Sequence, residues 1–251
     1  SFSMRASFLW VTDFISCFIA DAIVVDTNEH KKFFTKTFFV NPRKIIIVSV
    51  GCRSDLFIPL PQPKKEDGEC IVEFHGGFSP LHGVAYIMEA DKILQDRDEH
   101  VRFEIVGAGQ LFTAITSMAE KSRLTNVEFF GMKPLQELPH SIARADICLG
   151  IFATTPKALR IIPNKVYECL SCGKPVITER SPAALEVLRD REDVCMVEPG
   201  NGADLAEKIL ELKRDATLRA RLGERGRAIS LSTFSPYTIV SPLVEWLTSN
   251  V

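Results

Sequence analysis

From residue 70 onward the chain alternates short apolar runs with longer stretches in which apolar residues recur every three or four positions. The runs at 70–74 (CIVEF), 101–106 (VRFEIV), 126–130 (NVEFF), 146–151 (DICLGI), 175–178 (PVIT) and 194–197 (VCMV) have the length of buried strands. The segments between them, at 84–94, 110–121, 135–144, 164–172, 182–188 and 202–212, carry helical spacing. Strands alternating with helices in this way predict βαβ units. The fold class that follows is α/β, a Rossmann-like, mostly parallel sheet with helices on both faces. Two more helices, at 216–229 and 236–247, close the chain.

The first sixty residues read differently. Residues 3–19 are helical and rich in aromatics, 22–26 (AIVVD) form a strand, 31–39 a basic, Phe-rich helix, and 43–50 a strand carrying IIIVSV. Pro59, Pro61 and Pro63 with the charged run after them mark a linker at 59–68. The part before it is too short for a complete domain with a large sheet, so the expectation is the end of a domain that begins elsewhere. The division is therefore 1–60, 61–235 and a closing helix over 236–251.

Composition adds exclusions. Hydrophobic residues make up 46% and charged residues 25% of 251, an ordinary soluble balance, and a net charge of −2 gives no reason to expect nucleic acid as a partner. Seven cysteines without a paired pattern read as reduced core thiols. Cys169 and Cys172 form a C-x-x-C inside a short helix, with no second such pair nearby, and no metal site is assigned. No run reaches the ~18 apolar residues of a membrane span. The opening residues lack the pattern of a secretory signal. The expected location is the cytoplasm, with peripheral contact at the inner face of a membrane as the one exception.

The densest stretch is 163–178, PNKVYECLSCGKPVIT. Asn164 is an expected N-cap, Gly173 an expected left-handed stop, and 175–178 a buried strand. Lys165 and Glu168 share one helical face, opposite Val166, Cys169 and Leu170. That spacing suits an exposed ion pair. It also suits a polar ligand, because ligands of such sheets bind at the carboxyl ends of the strands. The other candidates at that end are Gly76 and Gly77 with His75, His82 at a helix start, Gly107 and Gly109, and Gly131. Glycine turns admit phosphate to backbone N–H groups, a lysine matches phosphate, and a carboxylate accepts both hydroxyls of a ribose. Together they indicate a nucleotide with at least two phosphates. His75 and His82 serve equally as turn or packing residues, and G-x-G by itself is a weak signal.

Five blocks carry a family resemblance: FHGGFSPLHGVAYIMEA, FEIVGAGQL, VEFFGMKPLQELPHSIARADICLGIF, IPNKVYECLSCGKPVIT and VEPGNGADLAEKILEL. Their order and spacing over 70–215 resemble the donor-binding domain of retaining GT-B glycosyltransferases of the group 1 family. The segment before the linker resembles the end of that family's N-terminal domain, and the closing helix resembles the one that crosses back to it. The resemblance implies transfer of a sugar from a nucleotide-diphosphate sugar to a glycan or lipid-linked acceptor, with retention and without a metal or other cofactor. It implies that Glu168 holds the ribose hydroxyls, that Gly76 and Gly77 face the phosphates, and that the base lies near Met132. Residues 161–165 would meet the diphosphate and sugar.

Three positions depart from the family pattern. Arg160 stands where the family has the first of two glutamates, and Gly77 and His82 stand where it often has arginine and lysine. Phosphate charge then falls to backbone N–H groups, Lys165, His82 or Arg160. The acceptor half would lie in a missing N-terminal domain or on a separate chain. A nucleotide-sugar-binding subunit, or a non-catalytic nucleotide-binding module, remains the alternative reading.

Overall fold

The computed structural model describes residues 4–65 and 68–250. Ser3, Glu66 and Asp67, which belong to the expected opening helix and linker, lie outside the described residues, as do Ser1, Phe2 and Val251. In chain order the first elements are helix α1 (Met4–Ile19), strand β1 (Ile23–Val25), helix α2 (Asn28–Phe38) and strand β2 (Ile45–Ile47). After the proline-spaced segment come β3 (Ile71–His75), α3 (Val84–Asp96), β4 (Arg102–Val106), α4 (Phe112–Lys121) and β5 (Val127–Gly131). Then follow α5 (Leu138–Arg144), β6 (Ile147–Leu149), α6 (Asn164–Ser171), β7 (Val176–Glu179), α7 (Pro182–Val187) and β8 (Cys195–Val197). Helices α8 (Gly202–Arg214), α9 (Ala216–Thr233) and α10 (Pro236–Asn250) complete the chain.

Strands β3 to β8 form one parallel sheet in the order β5-β4-β3-β6-β7-β8. The alternation of side chains along each strand divides the core into two layers. Val72 and Phe74, Phe103 and Ile105, Ile147 and Leu149 point to the side covered by Ile87 and Met88 of α3, Ile115 of α4 and Leu205 and Ile209 of α8. Cys148, Val176, Val194 and Met196 point to the side covered by Ile142 of α5, Val166 and Leu170 of α6 and Ala183 of α7. Chain direction across the sheet reverses between β3 and β6. That reversal opens a crevice beyond their carboxyl ends, where the helices on either side diverge.

The segment before the proline run builds a smaller unit. Strands β1 and β2 pair in parallel, joined by α2, over a cluster of Cys17, Val25, Phe38, Val40 and Ile45. Helix α2 starts at Asn28, three residues before the sequence expectation, because Thr27 caps it by accepting the His30 N–H at 3.0 Å. Helix α10 lies against β2. The proline-spaced segment has no regular secondary structure over 58–65 and is pinned, with Gln62 Nε2 donating to the Arg144 carbonyl at 3.0 Å and Lys65 paired with Asp146. Helix α1 exposes Phe8, Phe18 and Ile19. Among the described residues no helix is long and apolar enough to cross a membrane. The seven cysteines are free thiols, six of them buried.

Candidate functional site

A cavity of about 490 Å³ occupies the crevice, within the size range of small-molecule sites. Its floor is the turn after β3, where two backbones meet closely. Gly76 N–H donates to the Val106 carbonyl and Phe78 N–H to the Ala108 carbonyl, each at 2.9 Å. This stitching leaves no room at Gly107, where φ is +142° and a Cβ would stand 1.9 Å from the Gly76 carbonyl oxygen. At Gly76 a Cβ would meet Lys165 Nζ at 2.7 Å, so the absent side chain leaves space that the lysine head occupies.

Helix α6 forms one wall. Its N-cap is Pro163, and Asn164, expected as the cap, is the first helical residue without a capping bond. Proline at the cap frees the Asn164 side chain to line the cavity instead. Lys165 is only 4% exposed; its Nζ lies 3.7 Å from the centroid of the Phe74 ring and has no hydrogen-bond partner. Burial lowers its pKa to about 7, against the opposing pull of Glu73, Cys169 and Glu168. Lys165 and Glu168 do not pair with each other, so the exposed ion pair that their spacing allowed is not formed.

Glu168 is held instead by His75, whose Nε2 lies 2.9 Å from Oε2. The other ring nitrogen, Nδ1, lies 2.9 Å from Glu73 Oε1 and 3.2 Å from Oε2. Burial works against a charged ring, but the two carboxylates outweigh it and raise the His75 pKa to about 10. His75 is therefore an imidazolium at neutral pH. His82 is the opposite case: burial and then Lys165 lower it to about 4, and its Nδ1–H donates to the Gly77 carbonyl. It lines the cavity as a neutral ring and brings no charge to a phosphate.

The rim beyond β5 carries Met132, 74% exposed, with Lys133 and Leu138. Lys133 Nζ donates to Ser141 Oγ at 2.9 Å and sits 4.6 Å from the Phe130 ring centroid. Of the expected site residues, Gly76, Gly77, His82, Gly107, Met132, Asn164, Lys165 and Glu168 line the cavity, whereas Gly109, Gly131 and Arg160 do not. Gly109 and Gly131 shape the neighbouring turns: the Gly131 carbonyl accepts the Gly107 N–H at 2.7 Å. Arg160 is drawn away by α2, its guanidinium 4.0 Å from the Phe33 ring centroid and its carbonyl accepting from Thr27 Oγ1 at 2.6 Å.

Sequence reading missed Glu73 and underrated His75. The signal was present, because residues two apart in a strand share a face, and E-x-H in an otherwise apolar strand puts two polar groups on the α6 side. Glu73, Cys148 and Cys169 lie within 4.8 Å of one another behind the cavity. Burial raises the Cys169 thiol well above its usual pKa, and Glu73 already accepts from His75, which leaves a poor set of metal ligands.

The model of the glycosyl transferases group 1 family matches residues 69–215. An uncharacterised glycosyltransferase of Methanocaldococcus jannaschii is 27% identical over 224 residues, covering 84% of this chain and 61% of that protein. The lipopolysaccharide core biosynthesis glycosyltransferase LpsE of Rhizobium meliloti is 33% identical over 86 residues, covering 34% of this chain and 25% of that protein. Among solved structures, Anabaena HepE in complex with UDP and glucose superposes with a TM-score of 0.76 at 18% identity, over 92% of this chain and 63% of that one. Sucrose-phosphate synthase of Thermosynechococcus elongatus gives 0.81 at 18% identity, over 98% and 63%. The chain thus spans about six-tenths of the length of these last two proteins and of the Methanocaldococcus relative. With the family match across the whole six-stranded sheet, the chain belongs to the group 1 glycosyltransferases and carries the C-terminal-type domain of their GT-B fold.

Proposed function

We propose that this chain is the donor-binding half of a retaining, metal-independent glycosyltransferase that takes a hexosyl group from a nucleotide-diphosphate sugar. The observation that carries the reading is Lys165, a buried amine without a partner, set against the glycine turn after β3 with Glu168 one helical turn along. A diphosphate supplies the missing partner; the Gly76 N–H is held by the Val106 carbonyl, so the backbone donor open to it in this turn is that of Gly77. Glu168 accepts the ribose hydroxyls, and the base rests near Met132. Of the cations lining the cavity, His75 is taken up by its two carboxylates and Lys133 donates to Ser141, so neutralisation of the leaving diphosphate falls to Lys165 and backbone N–H groups. In the transfer itself the acceptor oxygen bonds to the anomeric carbon, the bond from that carbon to the diphosphate oxygen breaks, and the departing diphosphate takes the acceptor proton on the same face. Residues 61–235 are the donor domain, 1–60 the end of an acceptor domain and 236–251 the helix that joins them.

The acceptor, a glycan or lipid-linked sugar, is held by a further N-terminal domain or by a separate chain. In the second case this chain is a nucleotide-sugar-binding subunit. The exposed Phe8, Phe18 and Ile19 of α1 support a partner in either case. The proposed location is the cytoplasm, at the inner face of a membrane if the acceptor is lipid-linked. Calorimetry with UDP, GDP and ADP tests the donor site: one of them binds below about millimolar, and Glu168→Ala weakens it about tenfold or more. No binding by any of the three refutes the reading. Transfer assays on this chain, on a longer form of it and on a mixture with a candidate partner separate the enzyme from the subunit.

A further inference from the structure

A line of three polar side chains runs from behind the cavity to its wall, and the donor-site reading uses only the last of them, Glu168. Glu73 and His75 stand on the same face of β3, turned toward α6, while Phe74 between them points to the opposite layer. Glu73 is fully buried and His75 nearly so, whereas Glu168 opens to the cavity. Both contacts of the ring are hydrogen bonds to carboxylate oxygens. A neutral imidazole has one N–H and could donate to only one of them. With both carboxylates ionised, the arrangement takes an N–H on each nitrogen, and the ring is a cation between two anions. The other charged group facing this line is Lys165 on α6; Cys169 of α6 and Cys148 of β6 pack beside Glu73.

The geometry has a directional consequence. His75 takes Glu168 Oε2, and Glu168 Oε1 has no hydrogen-bond partner among the described residues. We propose that His75, backed by Glu73, is a positioning residue for nucleotide recognition: it clamps one oxygen of Glu168 so that the carboxylate stands ready to accept the ribose hydroxyls. The inference rests on the assignment of Glu168 to the ribose. A glutamate on the first turns of a short helix has three side-chain torsions to restrict, and the ring restricts them before the nucleotide arrives. Charge works in the same direction, since the imidazolium between them offsets the repulsion of two carboxylates placed on either side of one ring.

The test compares a nucleoside diphosphate with its 2′,3′-dideoxy form, using whichever of UDP, GDP and ADP binds. The variants are Glu168→Ala, His75→Leu and the double change Glu73→Leu with His75→Leu. The double change avoids leaving Glu73 buried and unpaired, which alone could unfold the chain. Wild type is expected to prefer the ribose form by about tenfold to a hundredfold, the range for hydrogen bonds to a charged group. In the double variant that preference falls toward one, as in Glu168→Ala, while affinity for the 2′,3′-dideoxy form stays within about threefold of wild type. If Glu168→Ala loses the preference and the double variant keeps it, the positioning role is overturned and the ribose assignment stands. If wild type shows no preference, the ribose assignment itself fails and this inference with it. Nitrogen-15 NMR of the His75 ring gives an independent reading: a doubly protonated imidazole at pH 8 is expected, and a single neutral tautomer overturns the proposal.

Discussion

Replacing Lys165 by methionine removes a buried charge and keeps nearly the same volume. In the folded chain this amine titrates at about 7, because burial disfavours the ammonium by more than the nearby Glu73, Cys169 and Glu168 favour it, and no hydrogen bond holds it. In the unfolded chain it returns to its ordinary value of 10.5. Between those two values the unfolded chain binds more protons, so the stability of the native protein rises with pH across that window. At about 1.36 kcal/mol per pH unit, the whole span is worth about 5 kcal/mol, an upper figure that local relaxation would reduce. Lys165→Met is therefore expected to be more stable than wild type by a few kcal/mol near pH 7, with the difference closing toward pH 10. Urea unfolding of both chains at several pH values measures this, and other titrating groups cancel in the comparison. The same variant should lose the diphosphate. For wild type at pH 8, where the free amine is mostly neutral, binding of UDP should draw in about 0.9 proton, read by calorimetry in two buffers of different ionisation enthalpy. Affinity should then weaken about tenfold per pH unit above 7. A stability difference that does not change with pH, together with no proton uptake, would refute the account of Lys165 as an unpartnered amine waiting for phosphate.

Two further outcomes follow from the contact between α2 and the donor sheet. Glu186 of α7 caps α2, accepting from the N–H groups of Asn28 at 2.8 Å and Glu29 at 2.9 Å. Glu186→Ala should cost about 0.5–2 kcal/mol and speed hydrogen exchange at those two amides while leaving β3 to β8 unchanged. Arg160→Met should keep the packing on Phe33 and leave nucleotide affinity within about threefold of wild type, since Arg160 does not line the cavity. A tenfold loss in calorimetry would show that the guanidinium swings to the phosphates.

Much of this fold is legible in local pattern. The strand runs and helical spacings after residue 70 appear as β3 to β8 and their helices, because each run is long enough to fill one layer of a covered parallel sheet. Gly76 and Gly107 are legible as well, since each sits just beyond the end of a strand, and Lys165 and Glu168 are legible because they share one face of a helix at the ligand end of the sheet. The start of α6 was less so. Asn164 has the chemistry of a cap, but Pro163 has the backbone angle for that position. Histidines were the weakest point, because imidazole charge is set by what surrounds the ring. His75 ends β3 and His82 lies seven residues on, just before α3, yet one is held charged at neutral pH and the other neutral.

The sequence by itself determined the order of elements, the parallel sheet, the family and the set of side chains available at the ligand end. Periodicity and turn chemistry are local, and they survive without knowing what packs on what. The tertiary structure decided the charge state and the company of those side chains. It buried Lys165 without a partner, placed His75 between carboxylates from β3 and α6, and drew Arg160 out of the cavity onto Phe33 of α2. Those contacts join residues far apart in the chain, and electrostatic energies depend on distance and burial rather than on sequence spacing.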